Sequence, residues 1–94
     1  MSRNLSSDQV LIEHLRQSAS WAFEELFRRY WHTLYMYSLR KLRCSDEARR
    51  VVRTIFTQLW EKRQAWPVHM PVSGYLYAEV RRASLQSLYG SECR

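Results

Sequence analysis

One stretch, from Ser45 to Arg63, constrains the fold more than any other, because its apolar residues repeat with the period of an α-helix. They follow the i, i+3, i+4, i+7 spacing that lines one face of a helix. These residues are Ala48, Val51, Val52, Ile55, Phe56, Leu59 and Trp60. Ser45 is well placed as an N-cap, and Asp46 and Glu47 put negative charge near the positive end of the helix dipole. The stretch therefore predicts an amphipathic helix over 45–64.

The other face of this predicted helix is polar, and three of its four charged residues are basic, so it is available to a partner. Basic and acidic residues are balanced over residues 1–39, with four of each, whereas residues 40–94 hold eleven basic and five acidic residues. The net charge of +6 therefore belongs to the second half of the chain. A one-sided basic surface favours a polyanion such as nucleic acid as the partner.

Three further helices are expected, over 7–17, 20–43 and 73–89, with Pro67 and Pro71 breaking the chain before the last one. With only two Gly and two Pro among its 94 residues, the chain favours one all-α domain over residues 1–94. We expect the core to contain Phe23, Phe27, Leu34, Val52, Ile55, Phe56, Leu59 and Leu76.

The residue types that catalysis or metal binding needs are not arranged as such sites require. There is no Gly-rich phosphate loop, and His14, His32 and His69 have no ligand partner one helical turn away. We therefore expect no catalytic site, no metal site and no cofactor. Cys44 and Cys93 lie far apart in the chain and are expected to be free thiols. Without a membrane span or a signal peptide, the protein is expected to be cytoplasmic, with no membrane partner.

Aromatic residues and cations stand together in the loop before the last helix and in that helix. Single-stranded bases stack on aromatic rings while their phosphates pair with cations. The candidate DNA contacts are Trp66, His69, Tyr77, Arg81 and Arg82. For Trp66, packing over the end of the bundle and exposure to a ligand stay equally open. Tyr75, close to Tyr77, is expected to belong to the core.

Several short segments follow one another in a recognisable order and spacing. They are Ala22-Phe23 with Leu26 and Tyr30, Ala48 through Phe56, Leu59-Trp60-Glu61, and Tyr75-Leu76. Together, over about residues 8–89, they resemble region 2 of the bacterial sigma-70 family, in its short extracytoplasmic-function type. The resemblance implies a compact four-helix bundle whose third helix docks on the clamp helices of core RNA polymerase. It also implies that the loop and fourth helix capture single-stranded promoter DNA of the minus-ten element, and that an anti-sigma factor is a further partner.

The docking helix is where this chain departs from the family. The polymerase-binding residues that the resemblance implies are Arg49, Arg50, Arg53, Thr54 and Thr57. Arg50 and Arg53 stand where the family usually has an acidic residue and then a Gln, and Arg49 replaces another common acid. Because like charges across an interface repel, a retained polymerase contact requires an acidic or neutral partner surface.

The fourth helix departs as well. Arg82 and Gln86 occupy the family's usual Asn and Asp positions, and both are candidate DNA contacts. Because the family's Asn and Asp are absent there, we expect this helix to contact phosphates more securely than particular bases. Residues 1–94 contain no helix-turn-helix region 4, which leaves open whether the chain is a fragment or ends naturally.

Three functions follow from this sequence. The leading one is a sigma region 2 domain that binds core polymerase and promoter DNA. The alternative is a diverged sigma-like bundle that binds a regulatory protein or itself and does not initiate transcription. The third is a basic helical DNA-binding protein of unrelated ancestry.

Overall fold

The computed structural model describes residues 7–67 and 70–90, with side chains up to Ser87. Over these residues the chain forms four α-helices and one short 3₁₀ turn. They are α1 (Asp8–Arg16), α2 (Ser20–Leu42), α3 (Ser45–Glu61), the 3₁₀ turn (Arg63–Ala65) and α4 (Val72–Gly90). The predicted four-helix, all-α architecture is confirmed, and every helix end lies within three residues of its expected position.

The starts of α1 and α3 are capped differently. At α1, the Ser7 hydroxyl accepts a hydrogen bond from the Val10 amide at 3.2 Å, which caps the helix. At α3, the cap position belongs to Cys44, whose side chain makes no capping hydrogen bond, and Ser45 is already helical. The prediction that Ser45 caps α3 was therefore wrong. The first helical residue is Ser45 itself, whereas a cap at Ser45 would place the first helical residue at Asp46.

The turn between α2 and α3 is only two residues long. Arg43 adopts a left-handed conformation, with φ of 56°, and its amide donates to the Leu39 carbonyl at 2.7 Å. A left-handed residue at this position ends a helix and reverses the chain direction. Cys44, which follows, is disulfide-bonded, so the expectation of a free thiol was wrong for this residue. Cys93 lies outside the described residues.

Helix α2 is the centre of the bundle and contacts α1, α3 and α4. Six of the eight predicted core residues are buried: Leu34, Val52, Ile55, Phe56, Leu59 and Leu76. Phe23 is partly buried and packs against them. Phe27 does not belong to the core, because 39% of its surface is exposed. Its ring packs against Phe56 at 4.8 Å, but it lies at the outer edge of the contact between α2 and α3.

Helix α1, the segment before α4 and α4 itself add buried residues beyond those eight. These are Leu11, Ile12, Leu15, Trp66, Val72 and Val80. Fully burying one such aliphatic side chain contributes roughly 1.5–3 kcal/mol. Where α2 meets α4, the buried Ser84 hydroxyl donates to the Ser38 hydroxyl at 3.1 Å. Among the described helices, none is both long and apolar enough to cross a membrane.

Candidate nucleic-acid and protein-binding surfaces

The five predicted polymerase-binding residues are all exposed on α3, but the structure distributes them over separate grooves. Arg50 and Thr54 line a groove of about 300 Å³ between α3 and α4. Arg49 and Arg53 line a second groove, of about 160 Å³, between α3 and α2. Thr57 lines a third, of about 270 Å³, beside Phe23 and Trp60. The outer face of α3 therefore offers two flanks to a partner, each completed by a different neighbouring helix.

The three arginines of α3 also differ in their pairing. Arg49 pairs with Asp46 at 2.7 Å, and Arg50 pairs with Glu47. Arg53 forms no ion pair with any residue in the described ranges. Exposed pairs one turn apart contribute only about 0–1 kcal/mol, but they reduce the charge that a partner meets. The positive charge available to a partner is therefore concentrated at Arg53.

Glu47 connects the start of α3 with the far end of α4. Its carboxylate accepts hydrogen bonds from the Arg50 guanidinium and from the Ser87 hydroxyl. These two donors favour the ionised form and hold the pKa of Glu47 below its ordinary value. Glu47 and Ser87 both line the groove that contains Arg50, so a charged, hydrogen-bonded link between the helices forms part of its lining.

For Trp66, the sequence left a DNA contact and packing over the end of the bundle equally open, and the structure has it packed. Only 3% of the residue is exposed. Its ring meets Tyr75 edge-on at 4.7 Å, and its indole nitrogen donates to the Met70 carbonyl at 3.3 Å. In this conformation a base has no free ring face to stack on. Trp66 therefore closes the end of the bundle, and the expectation of a packed Tyr75 is confirmed.

The remaining DNA candidates do not form a single patch. His69 lies outside the described residues. Tyr77 and Arg81 are exposed and stand one turn apart on α4, so they share a face. Arg82 and Gln86 share the adjacent face, where Arg82 pairs with Glu79 and Gln86 enters the groove between α3 and α4. Tyr77 and Arg81 are therefore the better placed pair for an unpaired base and its phosphate.

A polar network that sequence reasoning missed supports Tyr77 from behind. Tyr30 of α2 meets the Tyr77 ring edge-on at 6.1 Å. Its hydroxyl donates to Asp8 at the start of α1, and Asp8 also pairs with Arg29 at 2.9 Å. Burial of the phenol, and then the hydrogen bond to Asp8, raise the pKa of Tyr30 to about 12. Asp8 is 22 residues from Tyr30 in the chain, so no local sequence pattern connects them.

A second missed feature is a row of aromatic rings on the outer side of α2. Phe27, Trp31 and Tyr35 follow one another at intervals of four residues and line the groove that contains Arg49 and Arg53. The spacing was visible in the sequence. It indicated only a wide apolar stripe, because the same spacing is typical of residues that face a core.

No protein-family model and no curated protein sequence matches this chain. Among solved structures, the chain is similar to an engineered region 2 of sigmaE, determined by NMR in complex with GTAAAA. The two chains are 26% identical, and the match covers 96% of this chain and 93% of the other, with a TM-score of 0.80. The fold is that of a sigma region 2. This agrees with the bundle that the sequence resemblance implied.

Proposed function

We propose that this domain is a sigma-factor region 2 of the extracytoplasmic-function type, which acts in transcription initiation by binding rather than by catalysis. In this proposal α4 captures the unpaired minus-ten element of promoter DNA, and the outer face of α3 docks on core RNA polymerase. The observation that carries the proposal is the similarity, over nearly the whole chain, to a region 2 in complex with GTAAAA. The exposed pair Tyr77 and Arg81 supports the DNA contact on this chain's own residues.

The DNA contact can be tested by fluorescence anisotropy with labelled GTAAAA as a single strand, as a duplex and in scrambled order. We expect the single strand to bind more tightly than the duplex, because stacking requires unpaired bases. Tyr77→Ala should weaken binding of the single strand by about 5-fold to 150-fold, since stacking contributes about 1–3 kcal/mol per base. Trp21→Ala is the matched control, because Trp21 is as exposed as Tyr77, at 42% against 45%, and belongs to no candidate surface.

Arg81→Ala should weaken binding to all sequences alike and reduce the slope of affinity against salt by about one phosphate contact. Equal affinity for duplex and single strand would contradict the proposed capture of unpaired bases. An unchanged salt slope for Arg81→Ala, together with an unchanged affinity of Tyr77→Ala for the single strand, would contradict it as well.

Polymerase docking is tested by pull-down with core polymerase from the source organism and from an organism whose sigma factors carry the acid-and-Gln pattern. We expect binding to the first and weak binding to the second, because Arg53 requires an acidic or neutral partner surface. The double variant Arg50→Asp with Arg53→Gln should reverse this preference. An anti-sigma partner is part of the same proposal and would compete with polymerase in this assay.

The three arginines of α3 favour one second candidate function, a sigma-like module that binds another protein and no longer initiates transcription. This candidate takes precedence if the natural domain binds no core polymerase while the double variant gains binding.

A cytoplasmic location is the last part of the proposal. Disulfides are uncommon in that reducing compartment. The disulfide bond of Cys44 in the structure therefore bears on this location. Alkylation of Cys44 by a thiol reagent in intact cells would support a cytoplasmic location, and protection of Cys44 as a disulfide would contradict it.

A further inference from the structure

Helix α2 exposes an aromatic ladder made of Phe27, Trp31 and Tyr35. The Phe27 and Trp31 rings are nearly parallel, at 9°, with centroids 6.2 Å apart, and Tyr35 follows at 5.7 Å from Trp31. Phe27 is 39% exposed and Trp31 is 37% exposed, although both rings are large and apolar. Exposed apolar residues that lie next to one another form a patch, and such patches mark interaction sites, whereas single exposed apolar residues do not.

The ladder forms one wall of a groove whose opposite wall is α3. That wall consists of Val52 at the base with Arg49 and Arg53 along the rim. Arg49 is already paired with Asp46, whereas Arg53 forms no ion pair within the described part of the chain. The groove therefore combines an apolar floor with one unneutralised cation at its edge. A partner surface that fits this groove would present a ridge of apolar side chains with a carboxylate beside it.

We propose that this groove receives an acidic amphipathic helix of a partner protein. The partner's apolar side chains would lie on the aromatic ladder, and one of its carboxylates would pair with Arg53. From Phe27 to Tyr35 the ladder spans about 12 Å along α2, or roughly two turns, which suits anchors spaced i, i+3 or i+4, and i+7. The inference rests on the proposed protein-binding role of α3 and names the chemistry of the partner.

Two other occupants fit the groove less well. A second copy related by two-fold symmetry would bring Arg49 and Arg53 of both chains to one interface, where like charges repel. Single-stranded nucleic acid would need the open faces of the rings for stacking. The parallel Phe27 ring already occupies one side of Trp31, so the ladder offers a continuous apolar surface rather than separate platforms.

The test uses designed peptides and the full 94-residue chain. The probe is a fluorescein-labelled helical peptide of about 18 residues, with Leu at the anchor spacing and Glu on its other faces. A second peptide replaces every Glu by Lys, and a third has the acidic composition in scrambled order. Fluorescence anisotropy should show binding of the acidic helix at least about tenfold tighter than of either control peptide, and weakening with added salt.

Two double variants with the same change of composition locate the site. Trp31→Gln with Arg53→Glu should weaken binding of the acidic peptide at least about tenfold, because both the apolar anchor and the charge partner are removed. Trp21→Gln with Arg40→Glu should leave binding within about twofold of the wild type. Trp21 and Arg40 are also exposed on α2, but they do not line the groove. Far-UV circular dichroism establishes that each variant is folded.

If the first double variant does not fold, the single variant Arg53→Glu tests whether the acidic peptide binds at this groove. This exposed single change should shift preference from the Glu peptide toward the Lys peptide, a reversal that loss of structure cannot produce. The inference is overturned if the acidic helix does not bind, if both double variants bind alike, or if Arg53→Glu leaves the preference unchanged. It is also overturned if GTAAAA displaces the peptide, or if sedimentation shows a dimer that Trp31→Gln dissociates.

The outcome is separate from that of the proposed DNA function. Peptide binding without binding of GTAAAA would support the groove and contradict the DNA contact. Binding of GTAAAA without binding of the peptide would contradict only the groove.

Discussion

Replacing Phe56 by Ala should remove much of the stability of this domain, whereas the same change at the neighbouring Phe27 should remove little. Phe56 is 2% exposed and meets Phe23 at 6.2 Å and Phe27 at 4.8 Å, both edge-on. Truncating a buried Phe to Ala costs about 3–5 kcal/mol, because the loss of burial is joined by a cavity that the core fills only partly. A domain of 94 residues has a total stability of roughly 5–14 kcal/mol. At the low end of that range, Phe56→Ala should therefore leave only about 0–2 kcal/mol of stability, so that up to about half of the molecules are unfolded.

Phe27→Ala is the control because it deletes the same atoms from the same aromatic cluster. Because 39% of the surface of Phe27 is already in solvent, Phe27→Ala should lower the free energy of unfolding by only about 1–2 kcal/mol. Urea unfolding followed by circular dichroism at 222 nm measures both variants, and an unchanged m-value ensures that the midpoints can be compared. If the midpoint of Phe56→Ala falls no further than that of Phe27→Ala, α3 does not face the core as described.

Three further changes test the polar contacts between helices. The folded pKa of Tyr30 is raised to about 12, above its ordinary 10.0, so its contribution to stability is complete below pH 10 and lost between about pH 10 and 12. The Tyr30→Phe variant has no hydroxyl to ionise. In urea titrations it should therefore lose less stability than the wild type over that pH range. Glu47 has the opposite sign, because its pKa is lowered by the hydrogen bonds from Arg50 and then Ser87. Its contribution to stability is present above about pH 4.5 and lost as the pH falls through the folded pKa. Glu47→Gln should therefore flatten the decline of the melting temperature below pH 4.5, and an unchanged slope would contradict the stabilisation of the Glu47 carboxylate by these two donors. Ser84→Ala leaves the Ser38 hydroxyl buried without this donor and should lower the free energy of unfolding in urea by about 1 kcal/mol. If the two hydroxyls interact, changing both serines to Ala should recover part of that loss.

The sequence by itself determined the four helices and the inner face of α3. Helix periodicity is local, and a stripe from Ala48 to Leu59 can be buried in only one orientation without exposing a whole apolar face. The pairing of Arg49 and Arg50 with acids one turn earlier was visible for the same reason, as was the lack of such an acid before Arg53.

The tertiary structure alone decided which apolar residues stay exposed. Phe27 and Phe56 belong to equally apolar stripes, yet only Phe56 is enclosed, because neighbouring helices cover α3 on that face and leave the outer edge of α2 open. Trp66 became part of the core only because Tyr75 and the Met70 carbonyl meet it there. Contacts such as Asp8 with Tyr30, and Ser38 with Ser84, join residues 22 and 46 positions apart, which no periodicity encodes. The grooves along α3 have the same origin, since the groove with Arg50 takes its second wall from α4 and the groove with Arg53 takes its second wall from α2.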